Sequence, residues 1–410
     1  MKEYIVYVIP FFFLTIGLEL WYGYAHKKKY YNFNDAITNL NIGIGQQTIS
    51  LILTLAMLGL YSLTFQHFSL IQLPIDNVWV WVGTLIVFDC IYYWAHRWGH
   101  EWNVMWGAHI VHHQSDQYNL SVALRQSWFH AFLSFWMFLP LAIAGVPVEV
   151  IGGVGGFVTI FQYWIHTKAI KKMPRWFEFI FNTPSHHRVH HATNPQYLDK
   201  NYAAVFIFWD RIFGTFAKEV EEPHYGITAG HTSLDPIYAN LHFYKEMAIG
   251  AQKEKSIWKK FTLIFKSPSY LGNLIKEYYV NQPKVNPKPV SMNMKIYVLI
   301  QFIALSGGLV KYIMEFDQLS LFYQIACLGL IILTIQSCGY ILENKTKLFP
   351  LEIIRLIGAG ILLNILYYEQ YQDWFTFMLI LSVVIGVFST GWFVYENYIK
   401  PKNPINVSNS

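Results

Sequence analysis

The sequence predicts an all-α, polytopic membrane protein with about nine transmembrane helices and a cytoplasmic-side helical cap carrying a multi-histidine di-metal site. Three observations predict it. Apolar residues make up 54% of the chain and charged residues only 13%, where an ordinary soluble domain carries about 25% charged residues. Apolar runs close to the roughly 20 residues a spanning helix needs recur along the chain. Five histidines fall within 96–113, spaced i, i+4 and then i, i+3, i+4, so each set shares one helical face.

The first spanning run is 4–22. It lacks a basic leading region and an Ala-x-Ala-like cleavage site, so it reads as a retained anchor, not a signal peptide. Runs at 42–65, 78–96, 128–146 and 148–166 follow, with Val146-Pro147 as the tip of a tight helical hairpin. The interval 167–294 is polar only on average. Its stretches 173–182 and 258–280 mix basic and aromatic residues as interfacial helices do, and 282–290, with three prolines, reads as a linker. The last four runs are 295–314, 319–342, 351–368 and 374–395. The domain organisation follows: N-terminal membrane helices at 1–75, a catalytic core at 76–245, an interfacial segment and linker at 246–294, and C-terminal membrane helices with a short tail at 295–410.

Charge placement orients these runs. Lys27, Lys28, Lys29, Arg97, Arg125 and the basic interval 168–294 fall on one side, whereas the connections at 66–77, 146–147, 315–318 and 369–373 contain no lysine or arginine. By the positive-inside rule the histidine sets then lie on the cytoplasmic side. A net charge of +5 without a basic stripe argues against a nucleic-acid partner. Cys90, Cys327 and Cys338 lack CxxC spacing, which excludes a thiolate metal site or disulfide framework.

Asp89, Tyr93, His96 and His100 share one face of the third run, and His109, His112 and His113 follow it. A second set, His186, His187, His190 and His191, follows Thr183-Pro184, an N-cap and first-turn pair that starts a helix where the histidines begin. His166 ends the fifth run on the same side and joins the ligand candidates. Imidazole suits iron, zinc, copper and nickel, and this many rings exceeds the three or four that one zinc takes, so two metals are expected. Asp89 lies about 10 Å deeper than His96 and reads equally as a group orienting a ligand or as a satisfied buried carboxylate. Glu101 reads equally as a group beside the metals or as a surface ion pair. His130, in the fourth run away from the triplets, reads as structural, and His26, His67, His224, His231 and His242 have no ligand spacing. Trp94, Trp98, Trp102, Trp106 and Tyr118 fit a lipid slot or an interfacial belt equally well.

The spacings HxxxH (His96, His100), HxxHH (His109, His112, His113) and a second HxxHH (His187, His190, His191) resemble those of the fatty acid hydroxylase/sterol desaturase superfamily. The intervening words YNLSVALRQS (118–127), FQYWIHT (161–167), NTPSHHRVHH (182–191) and KNYAAVFIFWDRIFGTF (200–216) resemble its alkylglycerol monooxygenase branch. The resemblance implies a non-haem centre of two Fe ions using O2, and a membrane lipid oxidised at a C–H bond, the carbon beside the ether oxygen of an alkylglycerol lipid in that branch. It also implies an electron donor, tetrahydrobiopterin for that branch or else a redox protein, and it counts Glu101 among the pattern residues. Zinc would compete for the site during purification. A fatty acyl, sphingoid or sterol-type substrate is the alternative within the superfamily; a histidine-based metal transporter or sensor is the alternative of another class.

Overall fold

The computed structural model describes residues 2–228, 233–281, 289–345, 350–368 and 372–399. The linker expected at 282–290 and the last residues of the tail lie largely outside them. Among the described residues the chain is helical, with one isolated antiparallel bridge between Phe181 and Phe206 and no strand. It divides into two compact units, Met1–Val285 and Asn286–Ser410.

The first unit opens with α1 (Lys2–Ala25), α2 (Phe33–Phe68) and α3 (Val78–Glu101), all long and apolar enough to cross a bilayer. Asn32 and Asn77 start α2 and α3 by accepting backbone N–H groups with their side-chain carbonyls. At 36 residues α2 is longer than a bilayer requires. Its first half buries Asn39, Asn41, Ile42 and Thr48 in the body of the unit. Then come α4 (Asn103–His113), α5 (Leu120–Ala123), α6 (His130–Ser134), α7 (Leu139–Ile143) and α8 (Val148–Trp164). The remaining helices of this unit are α9 (Arg175–Ile180), α10 (Pro184–His190), α11 (Phe208–Ile212), α12 (Pro236–Lys253), α13 (Ile257–Thr262), α14 (Pro268–Leu274) and α15 (Lys276–Val280).

The second unit holds α16 (Met292–Glu315), α17 (Leu321–Leu342), α18 (Pro350–Leu366) and α19 (Phe375–Val394). Its buried centre is polar: Glu352 accepts from Arg355 Nε at 2.8 Å and from the hydroxyls of Tyr297 and Ser337.

Among the described residues six helices are long and apolar enough to span, against the nine expected: those containing Val8–Ala25, Phe33–Phe68, Val78–Glu101, Met292–Gln318, Leu321–Leu342 and Leu379–Ile399. The expected span at 128–146 is broken into α6, a 3-10 turn over Phe135–Phe138, and α7. Pro140 is the physical reason, since it has no N–H to give to the preceding turn and its ring crowds the carbonyl four residues back. The apolar stretch His130–Ile143 covers about 21 Å at 1.5 Å per residue, short of the ~30 Å hydrocarbon core. The helices α8 and α18, 17 residues each, also fall short.

The hairpin at Val146-Pro147 forms as expected, with Pro147 capping α8. Gly145 makes the turn at φ 87°, where an added Cβ would stand 2.0 Å from the Ile71 carbonyl oxygen, so both the backbone angle and the space require glycine.

Candidate metal centre

Four elements bring the histidines together. His96 and His100 occupy the last turns of α3. After the single residue Trp102, α4 turns back and presents His109, His112 and His113 from its own last turns. His166 lies just past the end of α8, its N–H on the Tyr163 carbonyl. In α10, Thr183 takes the N-cap position and Pro184 the first turn, and His187, His190 and His191 follow one turn later.

The rings sort into two groups. His96, His100, His109, His113 and His190 form one, and His112, His166, His187 and His191 the other; within each group one nitrogen per ring lies within 4.8 Å of every other. All are buried except His100, which is partly exposed.

The hydrogen bonds of these rings decide what the groups can hold. His112 Nδ1 faces the Arg125 carbonyl at 3.1 Å and His166 Nδ1 the Gln162 carbonyl at 2.7 Å. A ring that donates from Nδ1 has a bare lone pair at Nε2, yet these two Nε2 atoms stand 3.1 Å apart. Two lone pairs cannot hydrogen-bond each other; a cation between them reconciles the contact. His96 repeats the pattern, with Nδ1 2.6 Å from the Tyr202 carbonyl and Nε2 3.0 Å from His109 Nε2. His187 Nε2 stands 3.0 Å from His166 Nε2, and His191 Nε2 3.2 Å from His187 Nε2. Nitrogens each about 2.0–2.1 Å from one ion and about 90–110° apart would be separated by about 3 Å. His190 Nε2 and His100 Nε2 are buried with no protein partner. The donor set therefore fits two metal ions, one per group.

Burial sets the protonation state. The rings of His109, His112, His113, His187 and His191 are held well below the ordinary imidazole range, by desolvation first and by neighbouring imidazoles second. His190 is pushed down to about 4 by burial. Neutral rings are the form that ligates.

A layer of charged groups fixes the rings. The segment after α10 places Asp199 and Asn201 in the left-handed region (φ 57° and 58°), which Asp and Asn adopt more readily than most residues. The alternate carbonyls of Lys200 and Tyr202 then face His190 Nδ1 (3.0 Å) and His96 Nδ1 (2.6 Å). Asp210 holds this segment by accepting from the Tyr202 and Ala203 N–H groups at 2.7 and 2.9 Å. Asp89 does the same for Val205 and Phe206, both at 2.9 Å.

Arg125, fully buried, donates to the Val111 carbonyl, Asn39 Oδ1 and Gln114 Oε1 while its own carbonyl receives His112. Burial pulls its guanidinium down to about 10, with Asp35 and Asp116 opposing. Arg188 binds Glu219 through two nitrogens, each at 2.7 Å, and also holds the carbonyls of Thr167, Ile170 and Lys171, the residues after His166. Glu19, on α1, accepts from the Thr167 and Tyr31 hydroxyls and from the Leu120 N–H.

Nine of the ten expected histidines thus come together; His186 does not. Its Nδ1 faces the Thr183 hydroxyl at 3.2 Å and its ring packs on Phe216. His186 precedes His190 by four residues and so can share its helical face, which is why spacing alone could not exclude it. Glu101 pairs with Arg97 at 2.8 Å on a partly exposed surface. The carboxylate beside His100 is instead that of Asp199, 3.8 Å from His100 Nδ1. Asp89 carries backbone and stands outside both groups. Sequence reading missed Glu19, Arg125, Arg188, Asp199 and Asp210. The one available signal was a carboxylate inside an apolar run at Glu19. His130, expected to stand apart, packs its ring 5.1 Å from that of His109. His231 lies outside the described residues.

The chain is similar in sequence to known proteins. The fatty acid hydroxylase family profile matches residues 81–215, which contain all nine grouped histidines. The chain is 34% identical to human alkylglycerol monooxygenase over 370 residues, 87% of this chain and 82% of that protein. It is 32% identical to the Danio rerio alkylglycerol monooxygenase, over 87% of this chain and 81% of that one. A shorter likeness, 26% over 136 residues (32% of this chain and 40% of the other), links it to the ornithine lipid hydroxylase OlsE of Rhizobium tropici. No solved structure matches it. Identity at this level across most of both chains, with the histidine groups inside the matched region, means that the chain belongs to the fatty acid hydroxylase family, in its alkylglycerol monooxygenase branch.

Proposed function

We propose that this protein is an O2-dependent membrane monooxygenase that hydroxylates the carbon beside the ether oxygen of an alkylglycerol lipid. The observation that carries the reading is the pair of imidazole groups whose Nε2 lone pairs face one another 3.0–3.2 Å apart. Two iron ions are the assignment that suits oxidation of an unactivated C–H bond; bound there, they supply dioxygen activation. One oxygen atom enters the C–H bond, and the other leaves as water with two electrons and two protons from a donor. The resulting hemiacetal then separates into an aldehyde and a glycerol derivative. Tetrahydrobiopterin is the donor that the family resemblance implies.

The protein's own part is to hold neutral rings in place. The carbonyls of Tyr202, Arg125, Gln162 and Lys200 fix four Nδ1 atoms, which turns the Nε2 atoms inward and raises their basicity. Burial keeps water from competing for those nitrogens. Asp89 and Asp210 act through the backbone, holding the segment whose carbonyls orient His96 and His190. The placement of Lys27–Lys29, Arg97 and Arg125 supports a cytoplasmic location for the centre.

The test is oxygen consumption by the iron-reconstituted, reduced protein in lipid with an alkylglycerol substrate. Aldehyde formed in step with oxygen consumed is expected. Metal uptake across vesicles without lipid oxidation would favour a transporter instead.

A further inference from the structure

Beside the first histidine group, but outside it, lies a buried ring nitrogen that makes no hydrogen bond. His130 opens α6, and its ring lies 5.1 Å from the ring of His109, tilted by 48°. It is not one of the five rings of that group. Its Nδ1 is buried and makes no hydrogen bond. An unsatisfied buried nitrogen costs about 1–3 kcal/mol, and native proteins rarely retain one without a use.

The surroundings indicate what reaches it. Along the same apolar stretch, Phe132 and Trp136 are 53% and 52% exposed. Trp136 stacks on Trp98 at 6.1 Å and 16°, and Trp98 stacks on Trp102 at 4.4 Å and 11°. Flat indole faces beside an apolar helix suit an alkyl chain; they offer nothing to a polar end group. The nitrogen of His130 offers a polar contact instead, beside a ring of the first histidine group. With a proton it donates to an ether oxygen, and without one it accepts from a hydroxyl.

We propose that His130 is the substrate-positioning contact that hydrogen-bonds the oxygen-bearing end of the lipid and brings the neighbouring carbon to the first histidine group. This rests on the lipid-oxidising function proposed above. It makes the protein selective for oxygen-bearing lipids over plain hydrocarbon chains, because only the former satisfy Nδ1.

The experiment uses the full-length, metal-loaded protein in nanodiscs and measures displacement of a fluorescent alkyl probe by hexadecylglycerol, hexadecanol and hexadecane. In His130→Phe, binding of the two oxygen-bearing lipids should weaken about tenfold, the equivalent of one hydrogen bond at about 1.4 kcal/mol per decade. Hexadecane should bind as in the wild type, and His130→Gln should recover part of the loss. Metal content should stay at the wild-type value in both variants. Equal loss for all three compounds, or loss for none, overturns the assignment, as does loss of a metal ion, which would make His130 a ligand or a scaffold. If the wild type oxidises acyl or sphingoid lipids and leaves alkylglycerols untouched, the ether-lipid function fails while the His130 contrast between oxygen-bearing and hydrocarbon ligands is still measured.

Discussion

His112 and His166 lie 54 residues apart and face each other Nε2 to Nε2 at 3.1 Å, although each has already turned its Nδ1 to a backbone carbonyl. Two neutral rings so arranged repel unless an ion sits between them. The contact thus suits this pair, with His187 and His191, to holding a metal ion.

Replacing either ring should remove one ion. His112→Ala and His166→Ala are expected to lower the metal content by about half, from roughly two ions per chain, because each group fits one ion. His186→Ala should leave it unchanged. Elemental analysis of purified protein checks this; normal content in both ligand variants would dismiss the second group as a site.

Acid should destabilise the metal-free protein. His186 and His190 are depressed by burial from 6.5 to about 4. For a group whose folded value is depressed, the unfolded state binds more protons between the two values, so stability falls as pH drops. The stability these rings contribute is fully present above about 6.5 and is lost as pH falls toward about 4. Thermal unfolding of chelator-treated protein across that range should show Tm falling steeply below about 6.5; a flat profile would contradict it.

Arg125 should not tolerate lysine. Its guanidinium serves three acceptors in different directions through Nε, Nη1 and Nη2. An ammonium cannot reproduce that fork. Arg125→Lys is expected to cost about 2–4 kcal/mol from acceptors left buried and unpaired, and to weaken metal retention at the His112 group more than at the His96 group. Denaturation and metal analysis together test it.

Two carboxylates of the third helix should behave differently. Asp89→Asn leaves one of the Val205 and Phe206 N–H groups without its acceptor, at about 1–3 kcal/mol. Glu101→Gln breaks a partly exposed pair with Arg97 and should cost under about 1 kcal/mol. Equal destabilisation by the two would refute the burial argument. Because Arg97 also donates to Tyr93, whose hydroxyl meets Thr215 and through it Asp210, turnover in Glu101→Gln separately reports whether the pair supports the His96 side of the centre.

Glu19 should tie α1 to the centre. It accepts from Thr167, adjacent to His166, and from the Leu120 N–H. Glu19→Ala is expected to lower activity by about tenfold or more while membrane insertion is kept, and Glu19→Gln, which retains one acceptor, should lose less. Unchanged activity in the alanine variant would free α1 from any part in the site.

The sequence by itself determined the membrane class, the helical content and, among the ten histidines expected, the nine that the fold gathers, because those properties are local. Apolar runs and i, i+3, i+4 spacings are read within one helix, where geometry is fixed by 3.6 residues per turn. Tertiary structure alone decided the rest. It turned His186 toward Thr183 and Phe216. It brought His130 against His109 and assembled Glu19, Arg125 and Asp210 around rings far away in the chain. Which groups meet across the fold depends on how helices pack and where a buried donor finds its acceptor, and periodicity along one helix carries no record of either.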